Sequence, residues 1–332
     1  MINQPYDPKK KVFVNPYIKD TKRTIKDALL WKVGYFDEIR EKTQMPPHFI
    51  APIKKEPIDP SKPKATWINH STYLIHIEGT NILTDPIWGR RCSPLSFLGP
   101  IRRHAAPLEL EDLQKVDHVL ISHNHYDHLD KKTVLTLHKL YPTIQWWVPL
   151  GVKKWFRQLG ILQVEEFGWW EKSPTIPLKN SSTSMQLTAV PTQHFSGRSL
   201  KDKDKTLWVG WVAEFSKEKE TKRLYFVGDT GYNEFDFKAI GEKWSHMDLS
   251  LIPIGSYVPR KFMGTVHIDP KQAVQIHKEV SSKLSLGMHW RTFRLSDEES
   301  FRPPYDLFLA LQEEGINPMQ FIAPPPGHPV NW

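Results

Sequence analysis

The chain has 332 residues, with 45 basic against 37 acidic side chains, a formal charge of +8 and 39% hydrophobic residues. No run approaches the roughly 20 apolar residues of a membrane-spanning helix, and the opening MINQPYDPKKKVF lacks the apolar centre of a secretory leader, so a globular protein outside the usual secretory route is expected. The lone Cys92 excludes an intramolecular disulfide and suits a reducing compartment, which makes the cytoplasm, with peripheral membrane contact, the expected location.

The basic balance favours polyanions without choosing between nucleic acid, an anionic membrane and a phosphorylated small substrate. Residues 1–60 are rich in Pro and Lys and carry the basic run at 9–11. One stretch there, TIKDALLWKVGYFDEI at 24–39, predicts a helix that packs on the domain or faces a membrane. This region reads as an N-terminal extension, leaving 61–332 as the folded domain. ATWI, YLIHI and NILT predict short antiparallel strands separated at Asn69-His70 and Gly79-Thr80. DHVLIS (117–122) predicts a buried strand and KKTVLTLHKLY (131–141) a helix, after which strands recur at IQWWV, SMQLTAV, LWVGWVAEF, RLYFVG, DLSLIPI and LSLGMHW. The tryptophan pairs 146–147 and 169–170 read as core or rim aromatics. Asp269-Pro270-Lys271-Gln272 has the N-cap, the first-turn proline and the capping-box glutamine of a helix running to about Ser281, with His277 an ordinary member of it. Antiparallel strands followed by strands alternating with helices predict an α/β (α+β) layered domain.

The stretch SHNHYDHLD (122–130) places His123, His125, Asp127 and His128 in the loop after the DHVLIS strand. A strand end is where layered α/β folds hold ligands. His123 and His125, two apart, can face one ion, whereas Asp127 and His128 aim further along the turn. Three more candidates follow predicted strands: His194 in VPTQHFSG, Asp229 in VGDTGY and His289 in GMHWRTF. Seven potential ligands exceed one tetrahedral catalytic ion that keeps a position open, so two ions are expected. A structural zinc site is disfavoured, because such sites are usually cysteine-rich and the only cysteine is Cys92.

These residues resemble the His-x-His-x-Asp-His signature of the metallo-β-lactamase superfamily, with His194, Asp229 and His289 at its later ligand positions. Within it the chain is similar to the N-acyl-phosphatidylethanolamine-hydrolysing phospholipase D group. The matching blocks are FVNPY (13–17), TWINHSTYLIHIEGTNILTDPIW (66–88), SPLSFLGP (93–100), GDTGY (228–232) and YVPRKFM (257–263). The resemblance implies an αββα sandwich of two mixed sheets flanked by helices, with 61–332 as the hydrolase domain. It implies that His123, His125 and His194 hold one ion, that Asp127, His128 and His289 hold a second, and that Asp229 bridges them. The ions are expected to be zinc, and the His/Asp set also suits iron or manganese. The implied reaction is binuclear phosphodiester hydrolysis of phospholipase D type, releasing N-acylethanolamine and phosphatidic acid.

Asp127 and His267 are the catalytic candidates. His267 matches a functionally important histidine of the group and is suited to protonating the leaving alkoxide or binding phosphate; Val266 stands before it where the group carries Gln. Arg260 and Lys261 are candidates for phosphate contact. In RRCSPLSFLGPIRR (90–103) an apolar run with Phe97 and Leu98 sits between two arginine pairs, a pattern suited to an anionic bilayer. A phospholipid substrate and an anionic membrane surface are therefore the expected partners. Nucleic acid is not expected, since no aromatic-basic stripe accompanies the charge, and a homodimer is left open. Two other readings share the signature: a hydrolase of a soluble phosphodiester or sugar-phosphate lactone, and a non-catalytic lipid-binding protein, against which the complete ligand set counts.

Overall fold

The computed structural model describes residues 4–18, 45–50, 52–56, 62–179, 181–199 and 201–332, and the helix predicted over 24–39 lies outside them. A two-residue hairpin, β1 (Tyr6–Asp7) with β2 (Val12–Phe13), precedes the body of the fold. β3 (Lys64–Asn69), β4 (Thr72–Ile77) and β5 (Thr80–Thr84) form an antiparallel meander. β6 (His118–Leu120), β7 (Gln145–Pro149) and β8 (Val164–Phe167) then add in parallel, crossed over by helices α1 (Lys131–Leu140) and α2 (Lys153–Gln158).

The second half repeats the plan. β9 (Ile176–Pro177), β10 (Ser184–Val190), β11 (Gly210–Lys217) and β12 (Glu220–Phe226) pair antiparallel. β13 (Met247–Pro253), β14 (Ser282–Met288) and β15 (Phe321–Ile322) follow in parallel. Their connections carry α3 (Asp236–Trp244), α4 (Arg260–Met263), α5 (Pro270–Glu279) and α6 (Arg302–Glu313). The last strand, β16 (Pro329–Asn331), returns to the edge of the first sheet beside β3. The result is two seven-stranded mixed sheets.

Side-chain alternation builds the layers. In the first sheet Trp67, Tyr73, Ile75, Ile82, Leu120 and Trp147 point into the core shared with the second sheet. Their chain neighbours Ile68, Leu74, Leu83, Val119 and Trp146 point the other way, against Val134 and Leu137 of α1 and Phe156 of α2. The period of two thus sends Trp146 and Trp147 to opposite faces. On the second sheet Phe237, Ile240, Ala273, Ile276, Leu307 and Leu311 of α3, α5 and α6 join the core, completing the αββα sandwich. Each large side chain buried here contributes about 1.5–3 kcal/mol.

Several predicted bounds move for local reasons. The DHVLIS strand shortens to His118–Leu120, because Ser122 already turns its N–H to Asp85 Oδ1 at 2.7 Å. LWVGWVAEF becomes a strand only from Gly210, since Leu207 and Val209 donate to Leu150 and Ser122 of the opposite half. The capped helix has its reciprocal Asp269/Gln272 bonds but stops at Glu279, because Ser281 takes a positive φ of 49°. His277 is buried with Nδ1 2.8 Å from Ser285 Oγ, a core contact.

Strand direction decides where the functional side chains meet. β3, β5 and β6 run the same way, as do β10, β12, β13 and β14. Their carboxyl ends deliver His70, Asp85, His123, His194, Asp229 and His289 to one edge of the sandwich, the usual ligand edge of layered α/β folds.

Candidate metal centre

The loop after β6 supplies the first half of the site. His123 Nδ1 donates to Ser122 Oγ at 2.9 Å, and Ser122 Oγ in turn donates to Asp85 Oδ2, so His123 Nε2 keeps its lone pair. His194 is fixed in the same sense, with Nδ1 donating to the Val266 carbonyl at 3.0 Å and Nε2 left as a lone pair. These two nitrogens converge on His125 Nδ1, at 2.8 Å from His123 Nε2 and 3.3 Å from His194 Nε2. Burial pushes His123 and His194 well below the ordinary imidazole range and His125 down to about 4. Three neutral nitrogens directed at one another form a cation-binding tripod.

The second half is built around carboxylates. Asp127 Oδ2 lies 3.0 Å from His70 Nε2, 3.4 Å from His128 Nε2 and 3.7 Å from His289 Nε2. His128 Nδ1 donates to Asp85 Oδ2 at 2.6 Å, which turns Nε2 toward the centre. Between the halves sits Asp229. Its Oδ2 lies 3.0 Å from His289 Nε2, 3.2 Å from His128 Nε2, 3.7 Å from His194 Nε2, 3.9 Å from His267 Nδ1 and 4.0 Å from His123 Nε2. Burial works against charge on His128 and His289, yet the Asp229 and Asp127 carboxylates outweigh it, lifting His289 to about 9 and His128 well above its ordinary value. Burial likewise opposes charge on the two carboxyls, but the facing imidazoles hold both well below the usual range.

A metal fits this arrangement. Asp229 Oδ1, His128 Nε2 and both ring nitrogens of His289 are buried without a hydrogen-bond partner, a costly condition unless another group satisfies them. With its Nδ1 held by Asp85, His128 turns Nε2 toward the Asp229 carboxylate, where a cation can take the place of the proton that the carboxylate favours there. Among the described residues the donor atoms fall into four overlapping clusters, His123/His125/His194, His70/Asp127/His128/His289, Asp85/His123/His128 and His194/Asp229/His267.

All seven ligands predicted from sequence meet here, together with His267, which stands at the open side and is 13% exposed. Arg260 points elsewhere than at the centre. Its guanidinium donates to the His267 carbonyl at 2.9 Å and to Gln272 Oε1 at 2.8 Å, and it pairs with Asp269 at 3.2 Å. Lys261 is exposed on α4. Phe97 and Leu98 are 75% and 61% exposed at the tip of their loop. The loop's base reaches the site indirectly, since Cys92 packs with Phe293, whose ring lies 5.4 Å from that of His70. Of the four bracketing arginines, two turn inward: Arg91 donates to the Gly99 carbonyl and Arg102 to the carbonyls of Ile87 and Gly89.

Residues 80–290 match the family model described as the beta-lactamase superfamily domain. The protein named N-acyl-phosphatidylethanolamine-hydrolyzing phospholipase D 1 of Caenorhabditis elegans is 41% identical over 266 residues, 78% of this chain and 73% of that one. The chain belongs to this phospholipase D group of the beta-lactamase superfamily. A second relative in the group, the protein of Saccharomyces cerevisiae named N-acyl-phosphatidylethanolamine-hydrolyzing phospholipase D, mitochondrial, is 34% identical over 76% of this chain and 52% of its own length. Among solved structures, isothiocyanate hydrolase from Delia radicum gut bacteria has a TM-score of 0.60 at 17% identity, over 81% of this chain and 99% of that one. A metallo hydrolase of Ignicoccus hospitalis has a TM-score of 0.57 at 21% identity, over 82% and 99%. Both share the fold. This member of the superfamily is accordingly a metal-dependent hydrolase, and no helix among its described residues is long and apolar enough to cross a membrane.

Three site residues escape the sequence reading. His70 joins the carboxylate half, and burial, reinforced by His289, pushes it down to about 3. Asp85 holds both Ser122 and His128. Arg198 Nη1 donates to the carbonyls of Asn124 and Leu129, at 2.9 and 2.7 Å, and braces the motif loop from outside. His70 and Asp85 do carry a signal, since each ends a strand in the TWINH and ILTDP blocks, but using it requires knowing that β3 and β5 run parallel to β6.

Proposed function

We propose that the protein hydrolyses N-acyl-phosphatidylethanolamine at the phosphodiester bond on the ethanolamine side, releasing N-acylethanolamine and phosphatidic acid. Water adds to phosphorus, and the bond to the N-acylethanolamine oxygen breaks. The observation that carries this reading is the single Asp229 carboxylate, reached from one side by the His123/His194 half and from the other by His128 and His289, in a chain 41% identical to a protein bearing that name.

Two ions, zinc in the first instance, are assigned to the two halves: His123, His125 and His194 for one, Asp127, His128 and His289 for the other, with Asp229 between. When bound, they supply the positive charge that stabilises the attacking and leaving oxygens of an in-line displacement at phosphorus. The chain's own groups do the rest. Asp85 and the Val266 carbonyl hold the Nδ1 atoms of His128 and His194, which turns both Nε2 atoms toward the centre. Asp127 orients His70. His267, at the open side with its carbonyl held by Arg260, is placed to give a proton to the leaving alkoxide. Lys261, exposed on α4, is assigned to the substrate phosphate.

The apolar tip formed by Leu95, Phe97 and Leu98, with the exposed Arg90 and Arg103 beside the base of the loop, is assigned to the membrane that presents the lipid. The test is product analysis. The full chain with two equivalents of zinc, given N-acylated phosphatidylethanolamine in mixed micelles, is expected to yield fatty-acid ethanolamide and phosphatidic acid by mass spectrometry. Turnover of water-soluble diesters alone would overturn the assignment in favour of a soluble substrate.

A further inference from the structure

The FVNPY block lies outside the residues matched by the superfamily model, yet the structure brings it to the metal centre. Asn15 Nδ2 donates to the backbone carbonyl of His194 at 2.7 Å, across 179 positions of chain. The ring of His194 is already held through Nδ1 by the Val266 carbonyl, so the residue is gripped at both ends, its ring by the loop between α4 and α5 and its backbone by Asn15. The other ligands are braced from within the domain. His289 N–H donates to the His70 carbonyl at 2.9 Å, and His128 N–H to the His125 carbonyl at 3.1 Å.

The segment that carries Asn15 is itself well anchored. Gln4 clasps the backbone of Trp169 with its side-chain amide, accepting from the N–H at 2.7 Å and donating to the carbonyl at 3.1 Å. Gly168 permits that approach, since a Cβ there would lie 2.4 Å from the Gln4 side chain. Phe13 is buried in the main core and donates its N–H to the Asp204 carbonyl at 2.7 Å. Asp204 in turn bonds Ser196 through both N–H and Oδ1, which ties residues 13–15 to the loop on the far side of His194 as well. Tyr17 stacks on Phe235 with ring centroids 4.5 Å apart.

We propose that Asn15 is a positioning residue of the metal centre, holding the His194 backbone so that Nε2 completes the His123/His125/His194 tripod. The proposal rests on the two-metal reading of the site. Groups standing behind metal ligands typically govern affinity by 10–100-fold, and a single bond to a ligand's backbone belongs near the lower end, at about tenfold.

The experiment titrates the full-length, metal-stripped protein with zinc, and in parallel with cobalt to read the ligand-field spectrum of each equivalent. The parent should take up two equivalents; uptake of none would remove the two-metal reading itself, independently of Asn15. Asn15→Ala is expected to weaken one equivalent by about tenfold, to alter its cobalt spectrum and to leave the other unchanged. Asn15→Asp, which keeps the shape but sets a carboxylate against the carbonyl, should weaken the same equivalent at least as much, and serves should the alanine variant not fold. Gln4→Ala frees the same segment at Trp169 and is expected to lower Tm with both affinities kept. Parental affinities in the Asn15 variants, or equal loss of that equivalent in Gln4→Ala, would overturn the proposal.

Discussion

The loops at 122–130 and 93–101 stand close to the same centre and are built in opposite ways. In the first, nearly every residue has a fixed partner. Ser122 rests on Asp85, Asn124 accepts from Gly197 N–H, Arg198 bonds the Asn124 and Leu129 carbonyls while covering the Tyr126 ring at 3.9 Å, and Asp130 caps α1. In the second, the ties are few, namely the Arg91 to Ile101 bridge, the Cys92 to Pro100 bond, the Arg91 guanidinium on the Gly99 carbonyl and the Leu95 N–H on Ser93 Oγ, and the apolar side chains of the tip meet solvent. A metal centre needs donor atoms held to a fraction of an ångström, so its loop is cross-braced. A surface that meets a fluid interface needs exposed apolar area and gains little from rigidity. On the proposed function, bracing therefore separates the part assigned to chemistry from the part assigned to the membrane.

Variants should respect that division. Asp229→Asn, which removes the charge shared by both halves, is expected to abolish turnover and metal retention together, an effect beyond the 10–100-fold of groups behind the ligands. Elemental analysis after dialysis against a chelator checks it, and full metal occupancy in that variant would sink the site assignment. His267→Ala should lower kcat by about 10²–10⁴-fold, the range of general acid catalysis, with metal content unchanged; an unchanged kcat would remove it from the reaction. Asp85→Asn frees the His128 tautomer and the Ser122 turn, and is expected to cost about 10–100-fold in metal affinity, read by competition with a chromophoric chelator.

On the unbraced loop the sign of the test changes. Phe97→Ser with Leu98→Ser should leave the unfolding free energy within about 0.5 kcal/mol of the parent, as expected of exposed positions, and lower affinity for anionic vesicles by on the order of tenfold or more, from the apolar transfer energy lost. Vesicle sedimentation equal to the parent would break the comparison. Smallest of all, Lys261→Ala should raise KM for micellar lipid by less than about threefold, an effect that fades as salt screens an exposed charge.

What the sequence made legible follows the same line. The strand at 184–190 was readable residue by residue, because polar and apolar residues alternate from Ser184 to Ala189 before Pro191 ends the run. The metal ligands were readable because four of them crowd one strand end. The strand Val164–Phe167, with two glutamates in four positions, and the helix Asp236–Trp244, which lacks a side-chain cap and holds a glycine, left no comparable pattern. His70 and Asp85 depend on strand direction, which is a tertiary fact. The inward turn of Arg91 and Arg102 depends on which carbonyls the loop leaves open, and the job of Arg260 on the fold of the loop carrying His267. Local chemistry was visible; the groups that aim it came from elsewhere in the chain.

Two glycines fix how near the ligand loops can come. A Cβ on Gly255 would lie 2.2 Å from the carbonyl oxygen of His289, and one on Gly231 would lie 2.4 Å from that of Thr265, next to Val266. In both cases the nearest atom is main chain, which cannot swing aside as a side chain could. For anyone scanning natural variation or random libraries of this chain, the change to watch is therefore the mildest in the alphabet: one methyl group at either position, altering no ligand side chain, forces the facing main chain to shift and would score as harmless by charge, polarity and volume alike.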